Sequence, residues 1–322
     1  MGYLGRRIGR SADTGNPTAD GTGAGLLDLF TNGYFQRQGN IYNSPGILPF
    51  TASGGNVSGL EPGNGYKYHT FTSNGTFTVS SGSKSIEVLL VGGGGGGGNT
   101  LGGGGGAGGL LYGTLPISSG SFSVTVGGGG NGATARNIQG GVGTPSTFND
   151  GSTTHTALGG GGSNSYDTNN PSNGGSGAGA RCSRTGGSAT QSPSGPLTGY
   201  GNNGGDGAAC DNGGGGGGGA GGQGYNNPPA NGGVGRQYPA FTGPLIGVPS
   251  LAPLSGYFAG GGGGSNSTGT GGLGGGGNGV GGGSTGGNGT TNSGGGGGGG
   301  GWSPDSNGGN GGSGIVVIRY LV

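Results

Sequence analysis

Apolar residues in this chain gather into short β-branched and aromatic runs, and run after run ends against a block of glycine. Ile86 to Val91 passes without a turn residue into Gly92 to Gly98. Phe122 to Val126 passes into Gly127 to Gly130, Thr156 to Leu158 into Gly159 to Gly162, and Tyr257 to Ala259 into Gly260 to Gly264. Runs of this length and composition read as strands. Tyr66 to Thr72 and Thr76 to Val79, separated by Ser73, Asn74 and Gly75, read as a β-hairpin. Ser80 to Ser83 read as a turn into Ile86 to Val91. Leu110 to Tyr112, Leu115 to Ile117 and Phe122 to Val126 continue the set. Ile315 to Val322 is a strand that must pair inside the sheet, and its place is expected beside 86–91.

A flexible linker does not begin inside a strand, so the glycine blocks are read as ordered continuations of the strands in a polyproline-II-like conformation. Ordering glycine costs up to about 1 kcal/mol more than ordering alanine, and it brings no side chain to bury. Compensation must come from the backbone. A polyproline II helix has three residues per turn, rises about 3.1 Å per residue and leaves its N–H and C=O groups pointing outward. Glycine rods can therefore lie side by side and hydrogen-bond in several directions, which satisfies every buried amide. By that rise, seven glycines span roughly 22 Å. The expected fold is mainly β: sandwich-like strands continue into a stacked polyglycine II bundle, with essentially no α-helix.

The first 50 residues have another character. Leu26, Leu27, Phe30, Tyr34 and Phe35 are separated by turn residues such as Asn32 and Gly33. So much apolar surface on an irregular segment calls for a partner surface. Together with Arg6 and Arg7 these residues are read as a docking arm. The expected organisation is an arm over 1–50, a linker over 51–65 and a glycine-rich domain over 66–322.

Composition sharpens this picture. Glycine supplies 106 of 322 residues, while 26% are hydrophobic and 7% charged. Collagen is excluded because the glycines come in blocks and keep no three-residue period. Disorder, the rival reading of such a composition, is opposed by the strand-like runs between the blocks. Eleven basic against ten acidic residues give a net charge of +1, so no nucleic-acid partner is expected. No apolar stretch reaches the length of a membrane span, and no apolar stretch follows Met1 as in a secretory signal. Cys182 and Cys210 either pair or remain two thiols. His69 and His155 lack the company of a metal site, and no cofactor is expected.

Three segments, Ile86 to Gly98, Gly102 to Gly130 and Gly311 to Tyr320, resemble the glycine-rich domain of bacteriophage tail fibres and tail-tip adhesins. The resemblance covers about residues 66–322. It implies stacked polyglycine II helices whose distal loops contact a host receptor. The N-terminal GYLGRRIGR and LLDLFTNGYFQRQGN are similar to the starts of virion proteins of marine phages. The separate arm and a long segment at 223–258 depart from the compact adhesin pattern, so the family's receptor contacts do not transfer residue by residue.

On this footing the chain is expected to be a virion protein on the tail or capsid surface. It would dock to other virion proteins through the arm and present loops to a bacterial surface glycan or outer-membrane protein. Flat rings with a polar tip suit sugar faces, which nominates Tyr166, Tyr200, Tyr225, Tyr238, Phe241 and Trp302 as receptor contacts. For each of them, a plug sealing one end of the glycine stack is the competing reading. A decoration or whisker protein with an inert glycine spacer is the alternative function. Assembly stays open between a single copy at a tip and a homo-oligomer such as a trimer. An enzyme is not expected, because Asp150, Asp167, Asp206, Asp211 and Asp305 sit singly in polar loops with no paired acid/base partner.

Overall fold

A computed structural model describes residues 49–322 apart from 167, 169 and 266–268. The arm residues Arg6, Arg7, Leu26, Leu27, Phe30, Tyr34 and Phe35, and also Asp167, lie outside the described residues. The unit described here is Thr51–Val322.

Its strands are β1 (Thr51–Ser53), β2 (Val57–Leu60), β3 (Tyr66–Phe71), β4 (Gly75–Val91), β5 (Leu110–Thr125), β6 (Ser146–Asn149), β7 (Thr154–Ala157), β8 (Thr198–Tyr200), β9 (Arg236–Gln237), β10 (Tyr257–Phe258) and β11 (Ile315–Leu321). Nine of them form one antiparallel sheet in the order β2-β3-β11-β4-β5-β6-β7, with β1 paired to β4 and β8 to β5. The expected place of the last strand is confirmed: Ile315 lies opposite Val91 and Arg319 opposite Glu87.

That same strand overturns the hairpin. β11 lies between β3 and β4, pairing Val316 with Phe71 and Leu321 with Tyr66. The Ser-Asn-Gly turn joins two strands that are neighbours in sequence but not in the sheet. The turn expected at 80–83 is a bulge inside one 17-residue strand, where Gly82 adopts φ +78°. The three segments from 110 to 125 are likewise one strand, paired to β4 on either side of that bulge. Residues 51–65, read as a linker, supply β1 and β2.

Both faces of the central strands are buried. On one face Tyr68, Leu89, Val91, Leu110, Ile315 and Val317 pack against Phe241, Ile246, Val248, Leu251 and Phe258. Tyr68 Oη donates to the Ala240 carbonyl at 3.0 Å and Thr70 Oγ1 to the Ile246 carbonyl at 2.8 Å. The long segment at 223–258, which carries the nominated Tyr225, Tyr238 and Phe241, thus supplies a second layer of the core, built on two short 3-10 helices, Pro239–Phe241 and Pro249–Leu254. The opposite face carries a row of rings, Tyr320, His69, Phe77, Phe122 and Phe148, with successive centroids 5.7, 5.2, 6.4 and 6.3 Å apart.

His69 in that row is fully buried, its Nδ1 3.0 Å from the Gly54 carbonyl. Burial pushes the imidazole below its ordinary value, against the opposing pull of that carbonyl. The unfolded chain takes up a proton near pH 6.5 and the folded chain resists it, so this stability is present above that pH and lost as pH falls. The unfolding temperature is expected to decline from about pH 7 to about pH 5, and to decline less in His69→Gln.

Beyond the sheet the strands become rods. Along Gly92 to Gly98 the hydrogen bonds repeat every third residue, the period of a three-residue turn. Gly92, Gly95 and Gly98 donate to the carbonyls of Gly109, Gly106 and Gly103. Gly93 and Gly96 donate to Thr144 and Gly141, and Gly94 and Gly97 to Gly312 and Gly309. The carbonyls of the same rod accept from three further segments: Gly160 and Ser163, Gly130 and Ala133, and Gly297 and Gly300. One rod therefore has six neighbours and no side chain between them. A Cβ added at any of Gly93 to Gly97 would stand 2.0 Å from a neighbour's carbonyl oxygen.

Asparagine side chains complete the array at its edges. Their Oδ1 atoms accept from backbone amides where a rod carbonyl would otherwise stand: Asn310 from Gly132, Asn278 from Gly271, Asn203 from Ala189 and Asn173 from Ser188, all at 2.7–2.9 Å. The abundance of asparagine thus follows from the abundance of glycine, because the side-chain amide imitates the backbone it replaces.

Candidate functional site

The rods leave the sheet at residues such as Val91 and end at turns that gather on the far side. The turn over Asn99, Thr100 and Leu101 reverses the chain between Gly98 and Gly102, with Thr100 and Leu101 left-handed at φ +44° and +57°. Asn99 N–H donates to Ser165 Oγ at 2.8 Å, Thr100 N–H to the Ser306 carbonyl at 3.1 Å, and Ser165 Oγ to the Ile138 carbonyl at 2.6 Å. Four loops distant in sequence are fixed to one another by these bonds.

On them sits a compact group. Arg136 grips Asp305 with two hydrogen bonds, Nε to Oδ2 at 2.6 Å and Nη2 to Oδ1 at 2.7 Å. Its guanidinium carbon lies 4.7 Å from the centre of the Tyr166 ring and 5.9 Å from that of Trp302. The arginine hydrogen bond holds the Asp305 carboxyl below its usual range. Trp302 is 46% exposed. Beneath Tyr166, at 3.9 Å from the ring centre, lies the guanidinium of Arg181, which is fully buried. Its Nη2 donates to the Cys210 carbonyl at 2.7 Å, and its Nε has no hydrogen-bond partner. Two guanidinium groups thus contact the Tyr166 ring, and the forked Arg136–Asp305 pair ties the loop that carries Trp302 to the loop that carries Arg136.

The six nominated rings do not share one surface. Tyr166 and Trp302 meet in the distal group, and Tyr225, 57% exposed, stands on the flank of the rods beside the turn at 226–230. Tyr200 is in β8, its ring 3.8 Å from the Arg236 guanidinium at the sheet end. Tyr238 packs 4.5 Å from Tyr112, and burial pushes its hydroxyl far above the usual tyrosine value. Phe241 is completely buried in the sheet core. Both rings belong to the segment that folds back onto the sheet, so Phe241 is a core residue and not an exposed contact, and Tyr238 is half-buried against it.

Arg136 and Arg181 were not singled out from the sequence, although each stands in the polar loop that ends a glycine run. A cation in a chain so poor in charge was the available signal.

Asp150 does not sit singly as expected: its Oδ2 lies 3.0 Å from His155 Nε2, and His155 Nδ1 lies 3.0 Å from Ser194 Oγ. Asp150 lies in the β6–β7 turn, where burial favours its neutral form. Hydrogen bonds from the Thr153 and Ser152 amides and from His155 outweigh that and hold its carboxyl well below the usual range. Asp206 accepts from the Gly186 amide at 2.9 Å. Among the described residues no three of His, Cys, Asp or Glu are grouped to hold a metal ion, and no helix is long and apolar enough to cross a membrane.

Residues 70–321 match a family described as a glycine-rich domain. The comparison with curated proteins found no match to the chain.

Proposed function

For a chain that belongs to the glycine-rich domain family, we propose the role of a bacteriophage virion attachment protein, a tail fibre or adhesin. It docks to the particle through residues 1–50 and offers the far end of its rods to a bacterial surface glycan or outer-membrane protein. The observation that carries this reading is the group of Trp302, Arg136, Tyr166 and Asp305. It is an exposed aromatic face and a fixed charged fork mounted on loops that the rod array holds rigid. An aromatic face stacks on the apolar side of a sugar, while the forked pair offers directional polar contacts at its edge.

Exposure separates binding from folding here. Particles carrying Trp302→Ala together with Arg136→Ala are expected to adsorb to host cells at least tenfold more slowly, while the purified variant unfolds within a few degrees of the parent. Unchanged adsorption by the folded variant would remove the distal group from the contact. The inert-spacer role, a decoration or whisker protein, would then be favoured.

A further inference from the structure

We infer that Cys182 and Cys210 form a dithiol site at the far end of the rods, which closes to an intramolecular disulfide on meeting a disulfide-class oxidant. The inference stands whether or not the attachment role does.

Two loops carry the site, and they are laced together. Ser183 N–H donates to the Ala208 carbonyl at 2.7 Å and Gly207 N–H to the Arg184 carbonyl at 3.0 Å, so residues 182–184 run antiparallel beside 207–210. Buried Arg181 spans both loops, its Nη1 donating to Cys182 Sγ and its Nη2 to the Cys210 carbonyl. Cys182 and Ser183 adopt left-handed backbone at φ +59° and +52°, a region that residues with a Cβ seldom enter. The surrounding bonds hold that turn in place. The result is that one guanidinium touches both cysteines, Cys182 through its sulfur and Cys210 through its carbonyl, on two loops bonded side by side. Paired loops of this kind bring two side chains to the short separation that a ~2.05 Å disulfide requires.

The two sulfurs are unequal, which sets the order of events. Cys210 is exposed and Cys182 half-buried. Burial and the hydrogen bond with Cys210 push the Cys182 thiol up to about 11, against the opposing fields of Arg181 and Arg184. Cys210 is therefore the sulfur that meets the oxidant. With glutathione disulfide, the Cys210 thiolate attacks one sulfur, forms a mixed disulfide and releases one glutathione thiolate. The Cys182 thiol then gives up its proton, attacks Cys210 Sγ and expels the second. Two protein thiols are oxidised, one glutathione disulfide is reduced to two glutathione molecules, and both protons leave with them. The bond closes the chain from 182 to 210 directly beneath the Tyr166 stack, and so fastens the distal loops to one another.

The test is equilibration of the full-length protein with glutathione disulfide, followed by alkylation and peptide mapping. The expected product has no alkylatable thiol, a mass lower by about 2 Da and a linked Cys182–Cys210 peptide. Cys182→Ser is expected to stop at a glutathione adduct on Cys210. In Cys210→Ser, adduct formation on Cys182 should be at least tenfold slower than that. Two alkylatable thiols after equilibration, a stable double adduct, or links only between separate chains would overturn the site. The mapping of the parent protein decides the matter even if a serine variant does not fold.

Discussion

Gly95→Ala is expected to unfold the domain or lower its stability by more than the ~1–3 kcal/mol of ordinary overpacking. The new Cβ would stand 2.0 Å from the Gly161 oxygen and 2.5 Å from its carbon. Neither atom belongs to a side chain that could swing aside. Gly95 also donates to Gly106 and accepts from Gly297, so moving the rod to relieve the clash breaks hydrogen bonds on its other sides. Gly128→Ala provides the contrast. That glycine is exposed, its φ lies outside the left-handed region, and an added Cβ would meet only Thr144 Oγ1, at 3.8 Å. There the substitution is expected to be neutral or to stabilise by up to about 1 kcal/mol, because alanine narrows the unfolded ensemble. Chemical denaturation of the two variants beside the parent measures both. Equal effects at Gly95 and Gly128 would mean that glycine is present for composition and not for contact.

Phe241→Ala is expected to cost about 3–5 kcal/mol, the usual range for truncating a fully buried phenylalanine. The ring contacts Tyr68 and Tyr238 edge-on at 6.3 and 6.2 Å, Tyr112 at 6.0 Å, and the Arg319 guanidinium at 4.9 Å. Arg319 is in turn held by Glu87, with bonds of 2.9 and 2.8 Å from Nη2. Removing the ring opens a cavity between the sheet and the segment 236–258, and it strips one face from a nearly buried cation. Trp302→Ala, the same kind of truncation at an exposed ring, should cost less than about 1 kcal/mol. The difference, read by thermal or urea unfolding, separates a core residue from a surface one among residues that look alike in sequence.

That pair shows what the sequence conveyed and what it withheld. The junctions of strand and glycine block were legible because two backbone regimes meet there with no turn residue between them. The pairing of β11 with 86–91 was legible because a run of Ile and Val buried on both faces has nowhere to go but the sheet interior. The order of the strands was not. A Ser-Asn-Gly turn is a local signal of a hairpin, and the insertion of β11 between β3 and β4 depends on residues more than 220 positions away. The segment 236–258 was misleading for a related reason. Prolines and glycines broke its apolar residues into a pattern with no period, so Phe241, Ile246 and Leu251 read as loop residues although together they cover a sheet face. The distal group was half legible. Tyr166 and Trp302 were visible as rings in glycine loops, but Arg136, which joins them, lies 30 residues from one and 166 from the other.

The claim on which the fold rests is that rods of bare backbone form a core, each hydrogen-bonded to neighbours on several sides. Amide hydrogen exchange resolved to single residues tests it most directly. Gly94 to Gly97 and Gly104 to Gly106 are predicted to exchange as slowly as the central sheet amides of Val88 and Val317, opening only with global unfolding. Exchange of those glycine amides at the rate of a free peptide, while the sheet stays protected, would contradict the account.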